Sequence, residues 1–564
     1  MRPSIRLHAG TRLLACVLVS AAACDGRTPA AADADTVGGS LITAIQAEPR
    51  FLLPPLISLI DEQMVGDQIF EPLARMGDDG RLDRDFRPAL ADSWSWENDS
   101  TTIVFRLNPN ARWHDGKPVR ASDVRFTYDL CVDPVVGWKD REYFARIDSL
   151  TVRDSLTVAF WFRSRYPEQF FDAATRMLIV PEHVLASEPR ATLQTSSFNR
   201  APIGSGRFRL AKWTPNASIE LVADTTHYRG RAKLDRVIFA VTPDANAVTA
   251  RVASGELDVV AVSSPEHFRT LAARPELKAQ ILPAFDYTFL LFNTRARNQR
   301  SRPHPLFSDL ALRRALTMAL DRDLLVRGQF DSLAAVAIGP MTRAQALADS
   351  TIAGIPHDSS GAARLLDSLG WKLPAGKYVR ERGAKPLAFS ILVPSISRNR
   401  MGIAVRIQEA LRPFGVDVSI DAIEPNAFFA KMRAGDFDVA FDGRKADLSV
   451  SGLKAYWTVA SARQPNGQNF SRYENPIFDA HLDSAVGATD AATAKAHAKQ
   501  AFSTIIADVP AVWVYEVRTV QMIHKRFRTA HVLPTAWWAG LADWSIPSNE
   551  RIPRDRLGLK LAAR

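Results

Sequence analysis

The chain has 564 residues, of which 46% are hydrophobic and 23% are charged, a composition typical of soluble globular proteins. This length excludes a single small core and predicts about three to four folded units. The formal net charge is +10, yet the basic residues are scattered rather than gathered in one block, which argues against a nucleic-acid partner.

The amino-terminal segment has the layout of a secretory signal, with basic residues followed by an apolar run that is too short to span a bilayer. The small residues before Cys24 resemble the cleavage site of a bacterial lipoprotein, although Ala21 stands where leucine is usual. Cleavage at an ordinary signal site nearby is the alternative. We predict a signal peptide over residues 1–23, a lipid on Cys24 that holds the protein to a membrane, and a flexible tether over residues 24–39. Cys131 is then the only unmodified cysteine, so no intramolecular disulfide is expected.

Strands and helices follow in chain order, each predicted from its apolar pattern and its turn residues. The predicted strands are residues 40–45, 101–107, 150–152, 156–162, 237–241, 289–292, 387–393 and 416–420. One predicted helix begins at a capping Ser122, and three others cover residues 246–254, 309–325 and 401–411. This alternation predicts α/β lobes with mostly parallel sheets.

The segment 112–130 contains an aromatic–histidine pair, Trp113-His114, ahead of a tight Asp115-Gly116 turn. The adjacent His114 and Asp115 are residue types common in active sites, but no second histidine lies nearby at the spacing of metal ligands. We therefore predict that this segment is scaffold, a hairpin followed by a helix, and that His114 is structural.

Several motifs occur in a fixed order along the chain. They include Ile69-Phe70-Glu71-Pro72-Leu73, Trp113-His114-Asp115-Gly116-Lys117-Pro118-Val119, Gly204-Ser205-Gly206-Arg207-Phe208, Ser254-Gly255-Glu256-Leu257-Asp258, Phe292-Asn293-Thr294 and Tyr473-Glu474-Asn475-Pro476. In this order they closely resemble the family 5 extracellular solute-binding proteins, which serve peptide and nickel ABC importers. The resemblance runs from about residue 40 to beyond residue 520.

The resemblance implies a class II periplasmic-binding-protein-like fold, in which two α/β lobes are joined by two connecting segments. An extra subdomain is inserted in the first lobe, at about residues 76–195. The first lobe is then residues 40–285, completed by residues 510–564, and the second lobe is residues 286–509. Ligand is expected between the lobes, in a cleft that closes by a hinge motion.

The segment that ends at Asp447 resembles the family's Phe-Asp … Gly-Trp-x-Ala-Asp motif. Asp447 matches the last aspartate, which the resemblance implies is the partner of a peptide's ammonium group. Arg444 stands where the family usually has tryptophan, and Lys445 adds a second cation. Two interpretations stay open: the solute is more anionic, or Arg444 neutralises Asp442 and Asp447.

Four further residues are candidate ligand contacts, with core packing as the alternative for each. They are Glu48, Tyr287, Tyr456 and Trp457. We predict no catalytic residue and no cofactor, and the eleven scattered histidines form no visible metal site.

The predicted function is that of a substrate-binding protein of an ABC importer. It is expected to be an exported, monomeric protein of the periplasm or cell envelope that captures a peptide or peptide-like solute and docks on permease subunits. A solute receptor or chaperone that is not coupled to transport is one alternative. A serine hydrolase is another, because Ser451-Gly452-Leu453-Lys454 fits Ser-x-x-Lys, but its companion motifs are absent from the sequence.

Overall fold

The computed structural model describes residues 36–556 except 78–85, 167, 263, 346, 350, 465–466 and 489. The predicted signal peptide and Cys24 therefore lie outside the described residues. At the end of the predicted tether, the Gly38 N–H donates to the Lys233 carbonyl at 2.7 Å and Gly38 is buried, so the ordered chain already includes this residue. Within the described ranges, no helix is both long and apolar enough to cross a membrane.

The strands are numbered in chain order. They are β1 (Ser40–Ile45), β2 (Ala74–Met76), β3 (Phe86–Pro88), β4 (Ala91–Glu97), β5 (Thr102–Leu107), β6 (Ile147–Asp154), β7 (Thr157–Phe162), β8 (Phe208–Thr214), β9 (Ser218–Ala223), β10 (Arg236–Val241), β11 (Val259–Val262), β12 (Leu277–Phe292), β13 (Arg295–Ala296), β14 (Gln299–Pro303), β15 (Ala334–Ala335), β16 (Glu381–Arg382), β17 (Lys385–Pro386), β18 (Ala388–Pro394), β19 (Asp417–Ile423), β20 (Val439–Lys445) and β21 (Ala511–His524).

The α-helices are cited by their bounds. They are Ile60–Ile69, Ala121–Val132, Gln169–Ala174, Glu182–Leu185, Ala245–Ala253, Pro265–Ala272, Leu310–Met318, Arg322–Phe330, Ser359–Ser368, Arg398–Leu411, Pro425–Ala434, Lys454–Trp457, Val459–Arg463, Pro476–Gly487 and Ala491–Asp508.

One large sheet runs through both lobes, in the order β19-β18-β20-β12-β21-β11-β1-β10-β9-β8. Its parallel pairings are those of β1 with β10 and β11, and of β18 with β19 and β20. The other pairings, including both neighbours of β12, are antiparallel. The prediction of mostly parallel sheets is therefore wrong. The chain crosses to the second lobe in β12 and returns in β21, so these two strands run in opposite directions.

The two lobes meet where β12 and β21 pair with each other. The first half of β12 pairs with the part of β21 that also pairs with β11, and its second half pairs with β20. A register shift between Pro283 and Tyr287 separates the two halves. The predicted division after residue 285 falls within this irregular stretch, where fewer ladder hydrogen bonds oppose bending.

The inserted subdomain is a four-stranded antiparallel sheet, β4-β5-β7-β6, covered by the helix Ala121–Val132. It has its own core, in which Trp113, Phe105 and Phe160 are buried. The prediction that Ser122 caps the helix is wrong. The helix begins one residue earlier, and the Asp123 carboxylate reaches back to accept the Arg120 N–H at 2.8 Å.

The segment predicted as one helix, 309–325, is two helices, Leu310–Met318 and Arg322–Phe330. The Asp321 carboxylate caps the second by accepting the Leu324 N–H at 2.9 Å. A short acidic side chain competes for backbone donors, which favours a new helix start over continuation of the first.

His114 joins the subdomain to the loop Gly204-Ser205-Gly206. Its Nδ1 accepts the Gly204 N–H at 3.2 Å, so the ring is neutral and its Nε2–H donates to the Gly206 carbonyl at 2.9 Å. A side chain on Gly204 would clash with the Ile69 carbonyl, which explains the glycine. The structural role predicted for His114 agrees with these contacts.

We expect that replacing His114 with glutamine makes stability less dependent on pH. Burial lowers the pKa of His114 in the folded protein, so below about pH 6.5 the unfolded chain binds more protons than the folded one. The contribution of His114 to the free energy of unfolding is complete above that pH. It is lost as the pH falls, by at most about 1.4 kcal/mol per pH unit. Urea titrations at pH 7, 6 and 5 measure the free energy of unfolding of both proteins. If that free energy changed equally with pH in the wild-type protein and in His114→Gln, the prediction would be contradicted.

The first and last described segments of the chain meet in the first lobe. Arg526, which follows β21, binds Asp258 at 2.6 Å and also binds Asp555. The Asp555 carboxylate accepts the N–H of Ser40 at 3.0 Å. Both acidic side chains are fully buried, so these ion pairs hold the C-terminal segment on β1 from inside the protein.

Candidate functional site

A cavity of about 780 Å³ lies between the lobes. The helix Ile60–Ile69 and the inserted subdomain form one wall, and the segment that follows β20 forms the other. Its charged lining is balanced, with five acidic and five basic residues. They are Asp140, Glu142, Glu168, Asp172 and Asp447, and Lys139, Arg146, Arg176, Lys445 and Lys454.

Asp447 lies in this wall, just beyond the end of β20. Its carboxylate accepts the O–H of Tyr143 from the opposite lobe and the N–H of Ser449 at 3.2 Å. Burial, together with the adjacent Asp447, raises the pKa of the Tyr143 hydroxyl, which therefore remains a donor. A carboxylate has about four acceptor sites, so these two bonds leave acceptor capacity for a ligand.

Arg176 supports Tyr143 from the subdomain side. Its guanidinium lies 3.4 Å from the centre of the Tyr143 ring and binds Asp172 at 2.5 Å. Burial opposes the charge of Arg176, but the charge and hydrogen bond of Asp172, together with the charge of Asp447, outweigh burial and raise its pKa. The cation therefore stays charged beside the cleft and fixes the tyrosine that contacts Asp447.

A second contact crosses the cleft nearby. The Ser449 hydroxyl donates to Glu168 Oε1 at 2.5 Å. Burial raises the pKa of the Glu168 carboxyl, while the bond from Ser449 opposes this shift. Together with Tyr143 and Asp447, this pair places polar groups of both lobes face to face across the cavity.

Arg444 is turned toward Asp442. Their side chains form an ion pair at 2.7 Å, and the guanidinium stacks 4.8 Å from the centre of the Tyr456 ring. Burial raises the pKa of Asp442, and the charge of Arg444 opposes that shift. This geometry matches the neutralising role for Asp442, whereas Asp447 takes its hydrogen bonds from Tyr143 and Ser449. Lys445 lines the cavity.

The other predicted contacts separate into two groups. Tyr287 and Tyr456 line the cavity. Trp457 is 1% exposed and packs 5.3 Å from Trp513 between ring centres, so it belongs to the core of the second lobe. Glu48 lies at the edge of the first lobe, where it accepts the Trp213 indole N–H at 2.7 Å.

In the Ser-x-x-Lys segment, Lys454 is bound to a residue other than Ser451. Lys454 forms an ion pair with Asp483 at 2.7 Å, and Ser451 is hydrogen-bonded to the Ser449 hydroxyl at 2.8 Å. A nucleophilic serine needs a base within hydrogen-bond reach, which this arrangement does not provide. Among the described residues, no group of three or more His, Cys, Asp or Glu side chains could hold a metal ion.

Sequence reasoning missed the cleft residues of the inserted subdomain, which are Lys139, Asp140, Glu142, Tyr143, Arg146, Glu168, Asp172 and Arg176. The one local signal for them is the spacing of Asp172 and Arg176, which lets an ion pair form along the chain. The subdomain therefore supplies a wall of the cleft as well as scaffold.

A smaller cavity of about 320 Å³ adjoins the cleft and shares four lining residues with it, which are Ile60, Phe285, Lys445 and Thr535. Its wall includes Gln521, which is 1% exposed and whose Oε1 has no hydrogen-bond partner in the described part of the chain. The space between the lobes thus continues toward the first lobe, beyond the group around Asp447.

The two-lobed fold and the cleft are those of a solute-binding protein. A family model described as bacterial extracellular solute-binding proteins, family 5 Middle, matches residues 85–466, and the chain belongs to this family. The resemblance found in the sequence and the predicted two-lobed α/β fold are thereby confirmed.

Two relatives give the scale of the similarity. The oligopeptide-binding protein AppA of Bacillus subtilis (strain 168) is 26% identical over 431 residues, which cover 76% of this chain and 77% of AppA. The structure of B. subtilis AppA in complex with a nonapeptide matches with a TM-score of 0.69 at 23% identity, over 90% of this chain and 99% of that one. HbpA2 from Haemophilus parasuis matches with a TM-score of 0.76 at 21% identity, over 90% and 99% of the two chains.

Proposed function

We propose that this protein is the substrate-binding component of an ABC importer and encloses a peptide or peptide-like solute between its lobes. The observation that carries the proposal is the cavity of about 780 Å³ with a charge-balanced wall that contains Asp447. A peptide is a zwitterion, with an ammonium at one end and a carboxylate at the other, so a wall with both charges suits both ends. The volume of the cavity is in the range of about 300–1,000 Å³ that is common for ligand pockets.

Asp447 is the proposed partner of the ligand's terminal ammonium. A charge-assisted hydrogen bond in such an enclosed site contributes about 1.5–3 kcal/mol. Lys445, which lines both cavities, is the proposed cation for a ligand carboxylate. Membership of the family and the nonapeptide bound by AppA support this assignment.

The lobes are proposed to close on the solute by bending at the register shift in β12, between Pro283 and Tyr287. The closed form would then dock on permease subunits in the membrane. We further propose export to the periplasm or cell envelope as a monomer, with a lipid on Cys24 as the membrane anchor. Closure of the lobes, docking on the permease and anchoring at the membrane together form the proposed transport cycle.

The test is calorimetry of the mature protein with a panel of unmodified tri- to pentapeptides and their N-acetylated forms. We expect unmodified peptides to bind and acetylation to weaken binding at least tenfold, about 1.4 kcal/mol, because it removes the ammonium. Small-angle scattering is expected to show a smaller radius of gyration in the peptide-bound state. Failure of every unmodified peptide to bind, or equal binding of the acetylated forms, would contradict the proposal.

A further inference from the structure

Glu168 carries a carboxylate oxygen whose role the contacts described above do not explain. The residue is 7% exposed and lines the main cavity. Its Oε1 accepts the Ser449 hydroxyl, whereas its Oε2 has no hydrogen-bond partner among the residues that the structure describes. A buried carboxylate oxygen without a partner is costly, and a cation that enters the cavity would offset that cost.

The two arginines of the same wall are held by other groups. Arg176 is bound to Asp172 at 2.5 Å and stacked on Tyr143. Arg146 stacks on the ring of Tyr166 at 4.6 Å. Arg146 adds positive charge near Glu168, but neither arginine is hydrogen-bonded to its buried Oε2. A ligand cation that separates the contacts across the cleft can therefore bind this oxygen.

Ser449 links this carboxylate to Asp447. Its N–H donates to Asp447 Oδ1 at 3.2 Å, and its hydroxyl donates to Glu168 Oε1 at 2.5 Å. Two carboxylates from opposite lobes therefore lie on either side of one serine. Because Ser449 is hydrogen-bonded to both carboxylates, they lie near enough for one ligand residue to contact both. A lysine at the amino terminus of a peptide carries two ammonium groups, one for each carboxylate.

We propose that Glu168 binds the side-chain cation of the ligand's first residue, so the preferred substrates are peptides that begin with a basic residue such as lysine. The terminal ammonium lies at Asp447 and the side-chain ammonium lies at Glu168. This inference rests on the proposed function and narrows its substrate class.

The test compares two synthetic peptides, Lys-Ala-Ala and norleucine-Ala-Ala, which differ by the side-chain ammonium. We expect calorimetry of the wild-type protein to show at least tenfold tighter binding of Lys-Ala-Ala, and Glu168→Gln to bring the ratio of the two affinities close to one. Glu97→Gln is the matched control. Glu97 lies in the same subdomain but is paired with Arg153 on the surface at 2.6 Å, so this variant is expected to keep the wild-type ratio.

Thermal unfolding shows whether Glu168→Gln is folded, and the comparison of the two peptides on the wild-type protein does not depend on any variant. Equal affinity of the wild-type protein for the two peptides would overturn the inference. If the two peptides bind equally well and N-acetylation weakens the binding of both, the proposed function stands and only this inference fails. If neither these two peptides nor any member of the panel binds, both fail together.

Discussion

Replacing Asp447 with asparagine is expected to weaken the binding of peptides with a free amino terminus at least tenfold, or about 1.4 kcal/mol. Asparagine keeps the shape of the side chain and can still accept the O–H of Tyr143, but it lacks the negative charge that attracts an ammonium. Calorimetry with the unmodified peptides measures the loss. Their N-acetylated forms are expected to lose much less.

Asp436→Asn is the matched control for this experiment. Asp436 is in the same lobe, but its carboxylate binds Arg297 at 3.1 Å away from the cavity. We expect its peptide affinity to equal that of the wild-type protein. If Asp447→Asn also kept the wild-type affinity for unmodified peptides, Asp447 would be removed from the binding site, even if peptides still bound elsewhere in the cleft.

The second large effect is expected for Arg526→Leu, which should lower the free energy of unfolding by about 3–5 kcal/mol. Arg526 is 3% exposed at its side chain and pairs with Asp258 and Asp555, whose side chains are fully buried. The variant leaves the buried Asp555 carboxylate without its arginine, and it leaves Asp258 paired with Arg554 alone. Urea unfolding, followed by circular dichroism, measures the change.

Arg528→Leu provides the comparison, two residues along the chain. Arg528 pairs with Glu550 at the surface, where its side chain is 53% exposed. Exposed ion pairs contribute about 0–1 kcal/mol, so this variant should stay within that range. A loss for Arg526→Leu no larger than that for Arg528→Leu would show that the buried pairs do not hold the C-terminal segment.

Local pattern and motif order predicted the elements and the family. The strand predicted at residues 40–45 is observed as Ser40–Ile45, because its apolar run and the glycines before it are both local signals. The prediction of one helix over residues 309–325 was wrong at Asp321. The apolar pattern continues through this residue, but its side chain caps the start of a second helix. The prediction of mostly parallel sheets was wrong because strand direction depends on where the chain crosses between the lobes. No short segment of sequence encodes that crossing.

The cleft was predictable from one side only. The motif that ends at Asp447 pointed to the second lobe, and Tyr287 and Tyr456 followed from their places near the crossing strand and after that motif. The facing residues come from far away in sequence, with 304 positions between Tyr143 and Asp447 and 281 between Glu168 and Ser449. Such pairings are set by the docking of whole units, so neither spacing nor composition could indicate them.

The meeting of the first and last described segments in the first lobe has a consequence for biosynthesis. Ser40 is hydrogen-bonded to Asp555, which is translated 515 positions later, and β11 pairs with β21 near the end of the chain. Domains usually fold in the order in which the ribosome delivers them. The first lobe is the first to be translated, but it cannot complete its sheet until the second lobe has been made. A chain that stops before residue 511 lacks β21, and we expect proteases to degrade it faster than the full-length protein.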